Sequence, residues 1–353
     1  MDYQNLLNQL VQEIVKQGGS DLHLSEGRYP TIRIYGDLIP LVNHEILTTE
    51  KIRGLLEIMI SDKFMEEFIN TNELDFSYEH EGHLRFRGNA FVQQKRTGIV
   101  MRLIPNNIKT FEELNLPPIL EAFSRKKQGF FLVVGPVGQG KSTTLASMIE
   151  LINQSRAEHI ITIENPIEYV YEQKKSIIDQ RETRIDTKDF NTGLHGTFRQ
   201  DVDVILVGEM RGADTIAAAV TAAETGHLVL STLHTNNASQ TIDRIIDSFP
   251  ANQQAQIRVQ LAGSLIGIFS QRLIPKISGG LVPAFELLIN NNAVQNLIRE
   301  NRTHEIDTVI ETGSDQGMID MNRTLADLVR RGEITAENAI MHSTRPDMLQ
   351  KLI

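Results

Sequence analysis

Leu7, Leu10, Val11, Ile14 and Val15 recur at helical spacing near the start of the chain, and Gly18-Gly19 breaks the run. One apolar stripe on an otherwise polar segment predicts a helix packed on a single face and stopped by glycine. The period then changes. Leu22 and Leu24 flank His23 as in a half-buried strand, and residues 31–34 predict another strand before the Gly36-Asp37 turn. Residues 49–70 are helical in pattern, while 75–78, 84–91 and 98–103 read as further strands. This mixture predicts a small α+β domain over residues 1–104. Pro105-Asn106-Asn107 opens a less regular passage that ends at Pro117-Pro118, so residues 105–118 are expected to form a linker.

Beyond it, over residues 119–353, the pattern differs in kind. Short, predominantly apolar runs at 130–134, 159–163, 203–207 and 228–233 alternate with helical segments. A strand that is apolar on both faces needs cover on both, so the alternation predicts a parallel sheet between two layers of helices. Residues 213–224, rich in alanine and isoleucine, suit a helix packed closely on such a sheet. From about 290 to 353 the chain reads as a helical tail. Val294, Leu297 and Ile298 mark one amphipathic segment, and Leu325, Leu328 and Val329 mark another.

The chemistry begins where the first of these runs stops. Gly135-Pro136-Val137-Gly138-Gln139-Gly140-Lys141-Ser142 fits G-x-x-x-x-G-K-[ST], and Leu145, Met148, Ile149 and Ile152 follow at helical spacing. A strand ending in a glycine loop that opens a helix aims backbone N–H groups and the positive end of the helix dipole at a phosphate. Lys141 would reach the β and γ phosphates, and the Ser142 hydroxyl would ligate Mg²⁺. Thr143 and Thr144 continue the nucleotide-binding stretch. ATP with Mg²⁺ is the expected ligand.

Phosphoryl transfer also needs charge neutralisation and a positioned water, so neighbouring strand ends should carry acids and donors. The run 203–207 ends in Gly208-Glu209, and Glu209 is expected to polarise the attacking water and to help hold the metal. The run 159–163 stops at Glu164-Asn165-Pro166-Ile167-Glu168, where Pro166 turns the chain and leaves two acids four residues apart. One of them is expected to hold Mg²⁺ through water. His227 and His234 bracket the run 228–233. A histidine at a strand end can hydrogen-bond a γ phosphate or be an ordinary satisfied polar group, and spacing leaves both open.

Composition narrows the class. A chain of 353 residues suggests two domains. Forty-five acids against 35 lysines and arginines give a net charge of −10, which argues against a dedicated nucleic-acid binder. With no cysteine, disulfides, thiolate zinc sites and cysteine nucleophiles are excluded. Neither a basic-then-apolar opening nor an apolar run near 18 residues is present, so a cytoplasmic chain without a membrane span is expected.

Several phrases then combine into a resemblance. Gly19-Ser20-Asp21-Leu22-His23-Leu24, Arg85-Phe86-Arg87, the phosphate loop, TIENPIEY at 162–169, VGEMR at 207–211 and AETGHLVLSTLHTN at 223–236 span nearly the whole chain. Together the chain resembles the secretion-superfamily traffic ATPases, and most of all the PilT-type retraction motors of type IV pili. The resemblance implies a PAS-like N-terminal domain joined by a flexible linker to a RecA-like P-loop ATPase core. It implies a homohexameric ring at the cytoplasmic face of the inner membrane, working on a pilus platform protein, with a paralogous retraction ATPase as a possible companion. By the same resemblance Glu168 falls in the family's aspartate box, Glu209 is the catalytic glutamate, and His227 and His234 are the histidine pair. Arg85, Arg87 and Arg102 become candidates to approach the phosphates.

The chain departs from the family pattern at points. Val137 and Gln139 replace a common threonine and serine of the loop, with little consequence expected. Asn165 and Gly212 stand where aspartates are usual, and Val202 where a proline is. AVQNLIRE at 293–300 carries a substitution within the phrase linked to retraction. The competing expectation is an assembly or secretion ATPase, whose members usually add an N-terminal region and a four-cysteine zinc site.

Overall fold

The computed structural model describes residues 2–34, 36–82, 84–104, 107–210 and 212–353. Pro105 and Asn106 of the expected linker, and Arg211 of the VGEMR phrase, lie outside the described residues. The chain divides into two compact units, Met1–Asn107 and Ile108–Ile353.

The first unit runs α1 (Tyr3–Lys16), β1 (Asp21–Ser25), β2 (Thr31–Ile34), β3 (Asp37–Pro40), α2 (Thr49–Met59), α3 (Asp62–Thr71), β4 (Glu73–His80), β5 (Leu84–Gln93) and β6 (Arg96–Ile104). The single helical pattern of 49–70 is thus two helices, with Ser61 between them. The six strands form one sheet in the order β3-β2-β1-β6-β5-β4, every neighbouring pair antiparallel. Leu7, Leu10, Val11 and Ile14 of α1 are buried with Leu22, Leu24, Ile32, Phe86 and Met101 of the strands, as the apolar stripe predicts, whereas Val15 at its edge is exposed. Strand β3 was not expected: all four of its residues are exposed, so it lacks the alternation that marks a half-buried strand.

The second unit contains α4 (Leu120–Ser124), β7 (Gly129–Val134), α5 (Lys141–Ser155), β8 (His159–Glu164), β9 (Ile177–Glu182), α6 (Phe190–Thr197), β10 (Val204–Val207), α7 (Ala213–Glu224) and β11 (Leu228–Leu233). It continues with α8 (Ala238–Asp247), α9 (Ala251–Ser264), β12 (Leu265–Pro275), β13 (Leu281–Ile289), α10 (Asn292–Arg299), α11 (Ile306–Thr312), α12 (Met321–Arg330), α13 (Ala336–His342) and α14 (Pro346–Leu349). Of the passage expected as linker, the part from 108 onward packs on this unit: Leu116 is buried there, with Ile108, Phe111 and Leu114 beside it. Apolar residues at 108, 111, 114 and 116 prefer burial to solvent, which is why the irregular stretch does not hang free.

Seven strands form the second sheet, in the order β13-β12-β7-β11-β10-β8-β9. All neighbours are parallel except the β12–β13 pair. Successive residues of β7 point to opposite faces: Phe131 and Val133 pack with Leu145, Met148 and Ile149 of α5, whereas Phe130, Leu132 and Val134 pack with α7 and α9. Each face buries its own core, as wholly apolar strands require. Ile274, Val282 and Ala284 of the β12–β13 hairpin carry α12 to α14, through Met321, Leu325 and Ala339. The second unit is thus α/β, a mainly parallel sheet covered on both faces and followed by a helical tail, as expected, and the smaller unit before it in the chain is α+β.

Candidate functional site

In a parallel sheet the carboxyl ends of all strands open onto one edge, where the loops are free to carry polar groups. Here the loop after β7, the turns after β11 and β10, and the turn after β8 stand side by side on that edge. With strands about 4.8 Å apart, the groups after β10 lie within about 10 Å of the phosphate loop's own strand.

The loop itself is shaped by glycine. Gly135, Gly138 and Gly140 have φ of +148°, +77° and +75°, in the region that L side chains rarely adopt. At Gly135 space also forbids a side chain, because a Cβ would lie 2.4 Å from the Gln271 carbonyl oxygen. Helix α5 starts immediately after Gly140, which has no side chain to cap it, so its first N–H groups face the loop. Lys141 is buried and folds back on this loop: its Nζ donates to the carbonyls of Gly135 (2.8 Å) and Pro136 (2.7 Å) and lies 3.3 Å from His234 Nδ1. Burial pulls the Lys141 ammonium down to about 8, against the opposing charge of Glu168.

Ser142 and Thr143 are half-buried at the helix start, and the Thr143 hydroxyl is bonded to Tyr169 OH at 2.8 Å. Thr144 is buried, and its hydroxyl donates to Gln271 Oε1 at 2.6 Å. The Thr144 side chain is thus tied to strand β12. Gln139 departs from expectation. Its Oε1 accepts the Leu273 N–H at 2.5 Å, and its carbonyl accepts from Gln271 Nε2 at 2.9 Å, so the substitution supplies a tie to β12. Val137, 80% exposed, has no such part.

Glu209 follows β10 and is half-buried; Gly208 before it presses against β8, where a Cβ would lie 3.3 Å from the Ile163 carbonyl oxygen. Thr232 of β11 donates to the Gly208 carbonyl at 2.7 Å and fixes this turn from the other side. Glu168 is close enough to Lys141 to act on its charge. Behind it Glu164 is fully buried, accepting from Thr162 (2.7 Å) and from the Glu168 N–H (3.3 Å). Burial pushes the Glu164 carboxyl up to about 7, despite the Thr162 hydrogen bond. Of the two acids four apart, Glu168 is the one turned toward the loop.

His227 is not brought to this edge. It precedes β11 at the amino end, with its Nδ1 2.9 Å from the Ala222 carbonyl, about 20 Å along the strand from His234. The two histidines paired by the family resemblance thus stand at opposite ends of the six-residue strand that they bracket in the sequence. Arg85, Arg87 and Arg102 belong to the first unit, on adjacent strands β5 and β6, where Arg87 is directly opposite Arg102. Arg102 Nε donates to Asp21 Oδ1 at 2.8 Å. Burial alone would raise Asp21, but the Ser20 and Arg102 hydrogen bonds outweigh it and hold the carboxyl below its ordinary value.

Sequence reasoning missed Gln271 and Tyr169. Gln271 had a signal, since 265–275 is a long apolar run, but its partner residues are about 130 positions away. No helix among the described residues is long and apolar enough to cross a membrane.

The model of the Type II/IV secretion system protein family matches residues 2–308. The type IV pilus retraction ATPase PilT of Pseudomonas aeruginosa is 45% identical over 333 residues, 94% of this chain and 96% of that protein. The type IV pilus ATPase PilU of the same organism is 38% identical over all of this chain and 91% of its own. The crystal structure of the pilus retraction motor PilT with bound ADP superposes with a TM-score of 0.90 at 45% identity, covering 97% of this chain and 98% of that one. A glycine-shaped loop with acids at the neighbouring strand ends, in a chain aligned with these proteins over nearly its whole length, makes it an ATP-hydrolysing member of the Type II/IV secretion system protein family, of the PilT type.

Proposed function

We propose that the chain is the motor that retracts type IV pili: a homohexamer at the cytoplasmic base of the pilus that spends ATP on removing pilin subunits through an inner-membrane platform protein. The observation that carries this is the gathering of Lys141, Ser142, His234, Glu209 and Glu168 on one sheet edge, in a chain similar to a retraction motor over almost its full length. Lys141, once released from its loop carbonyls, neutralises phosphate charge, and the N–H groups at the start of α5 cradle it. Glu209 orients the attacking water, and His234, already beside Lys141, is placed to sense the terminal phosphate.

Mg²⁺ fits the donors present: a hydroxyl and carboxylates are hard oxygen ligands, and this ion is usually bound through one or two carboxylates, directly or by way of water, beside substrate phosphates. Ser142, Glu168 and Glu209 would hold it, and when bound it would supply charge neutralisation between the phosphates. Arg85, Arg87 and Arg102 are assigned, by the family resemblance, to approach the phosphates across the subunit or ring boundary. Residues 1–104 are proposed as the PAS-like domain and 119–353 as the motor core, with the connecting stretch as hinge.

Deleting the gene tests the direction of work. Retraction predicts cells that carry surface pili and do not twitch; bald cells would assign the protein to assembly instead. Purified chain should release phosphate from ATP only with Mg²⁺ and sediment as a hexamer.

A further inference from the structure

The phosphate loop rests on a strand that carries none of the expected catalytic groups. Gln271, in β12, is 3% exposed, and both ends of its amide are engaged by the loop segment. Its Oε1 accepts from the Thr144 hydroxyl at 2.6 Å, and its Nε2 donates to the Gln139 carbonyl at 2.9 Å. Gln139 answers in the other direction, its Oε1 accepting the Leu273 N–H at 2.5 Å. Two glutamine side chains thus cross between loop and strand, each bonded to the other's segment. The glycines record how close the two lie: a Cβ on Gly135 would stand 2.4 Å from the Gln271 carbonyl oxygen, and one on Gly140 3.0 Å from its Nε2.

We propose that Gln271 is a positioning residue for nucleotide binding: a buried amide that sets the height and tilt of the phosphate loop, with Gln139 as the reciprocal tie. The physical need is clear. Glycines permit the loop's shape but also permit many others, so N–H groups that must converge on a phosphate require an outside restraint. An amide offers one acceptor and one donor end, so pairing Oε1 with a hydroxyl and Nε2 with a carbonyl leaves it a single orientation. Replacing it by an apolar chain strands the Gln139 carbonyl and the Thr144 hydroxyl, which then seek other partners and carry the loop with them. Gln139 matters for the same reason, and a serine there is too short to reach the Leu273 N–H.

The inference rests on the ATP reading of the loop, and the test separates the two. Full-length chain is titrated with ADP by calorimetry and assayed for ATP turnover, as wild type, Gln271→Leu, Gln271→Met and Gln139→Ala. Methionine matches the length of glutamine without its hydrogen bonds. The two Gln271 variants should raise the ADP Kd and the ATP KM about tenfold, equivalent to about 1.4 kcal/mol or one buried hydrogen bond, and Gln139→Ala about threefold. Turnover at saturating ATP should stay within about threefold in all of them, a split that mere loss of folded protein does not produce. An ADP Kd equal to wild type in Gln271→Met, or in Gln139→Ala should the Gln271 variants fail to fold, overturns the proposal. Absence of ADP binding by the wild type overturns the ATP reading instead.

Discussion

His227 and His234 stand at the two ends of β11, and the sheet gives them different surroundings. At the amino edge polar groups satisfy one another: His227 meets the Ala222 carbonyl, its own carbonyl accepts the Gly129 N–H, and His159 sits between Asp179 Oδ2 and the Asp201 carbonyl, each at 3.0 Å. At the carboxyl edge the groups are held without being used up. Lys141 lies on carbonyls it can leave, His234 lies against Lys141, and burial pushes the Glu164 carboxyl up to about 7. One edge closes the structure and the other is poised for chemistry, though residues of the same types occur at both. Strand direction makes the difference, because only the carboxyl edge meets the N-terminus of α5.

The largest effect that could break this comparison is Lys141→Ala. It should weaken ATP binding by at least about a hundredfold, measured with a fluorescent nucleotide, since a charge-assisted phosphate contact is lost from a low-dielectric site. Glu209→Ala should reduce turnover by about a hundredfold or more while ADP affinity stays within about threefold. Unchanged turnover there would remove Glu209 from its role.

The histidines test the contrast directly. His234→Ala should lower kcat about tenfold, whereas His227→Ala should cost about 1 kcal/mol of unfolding free energy and change kcat at most about threefold. Equal losses of kcat would show that the two edges are not distinct in the working ring.

A smaller effect sharpens the picture from beneath. Glu286 of β13 is buried, accepts the Ala238 N–H at 2.9 Å where α8 follows the His234 turn, and is pushed by burial up to about 7. The unfolded chain releases that proton near the ordinary value of 4.5, so between about 4.5 and 7 the native state binds more protons and loses stability as pH rises. Glu286→Gln removes this loss. Its unfolding free energy, relative to wild type, should grow by roughly 2 kcal/mol across that window in urea melts followed at several pH values.

Much of this was legible beforehand because the signals are local. The largely apolar runs at 130–134 and 228–233 are central strands, and the G-x-x-x-x-G-K-S phrase sits between a strand and a helix as its mechanism demands. Other elements were not legible. Strand β3 is entirely exposed, and β9 mixes charged and apolar positions, so neither shows the period that marks a strand. The hairpin β12–β13 is apolar enough to be noticed, but nothing local says that it extends the same sheet and reaches the phosphate loop.

By itself the sequence determined where the phosphate-loop phrase lies, which lysine and hydroxyl it carries, and which carboxylates end neighbouring strands, because each of those features is carried by residues adjacent in the chain. Only the tertiary structure decided which polar groups meet. It set His234 beside Lys141 and His227 at the far end, tied the Thr144 hydroxyl to Gln271, and placed Gln271 against the loop. Hydrogen bonds between residues separated by 93 or 127 positions depend on strand order and direction, which no local pattern encodes.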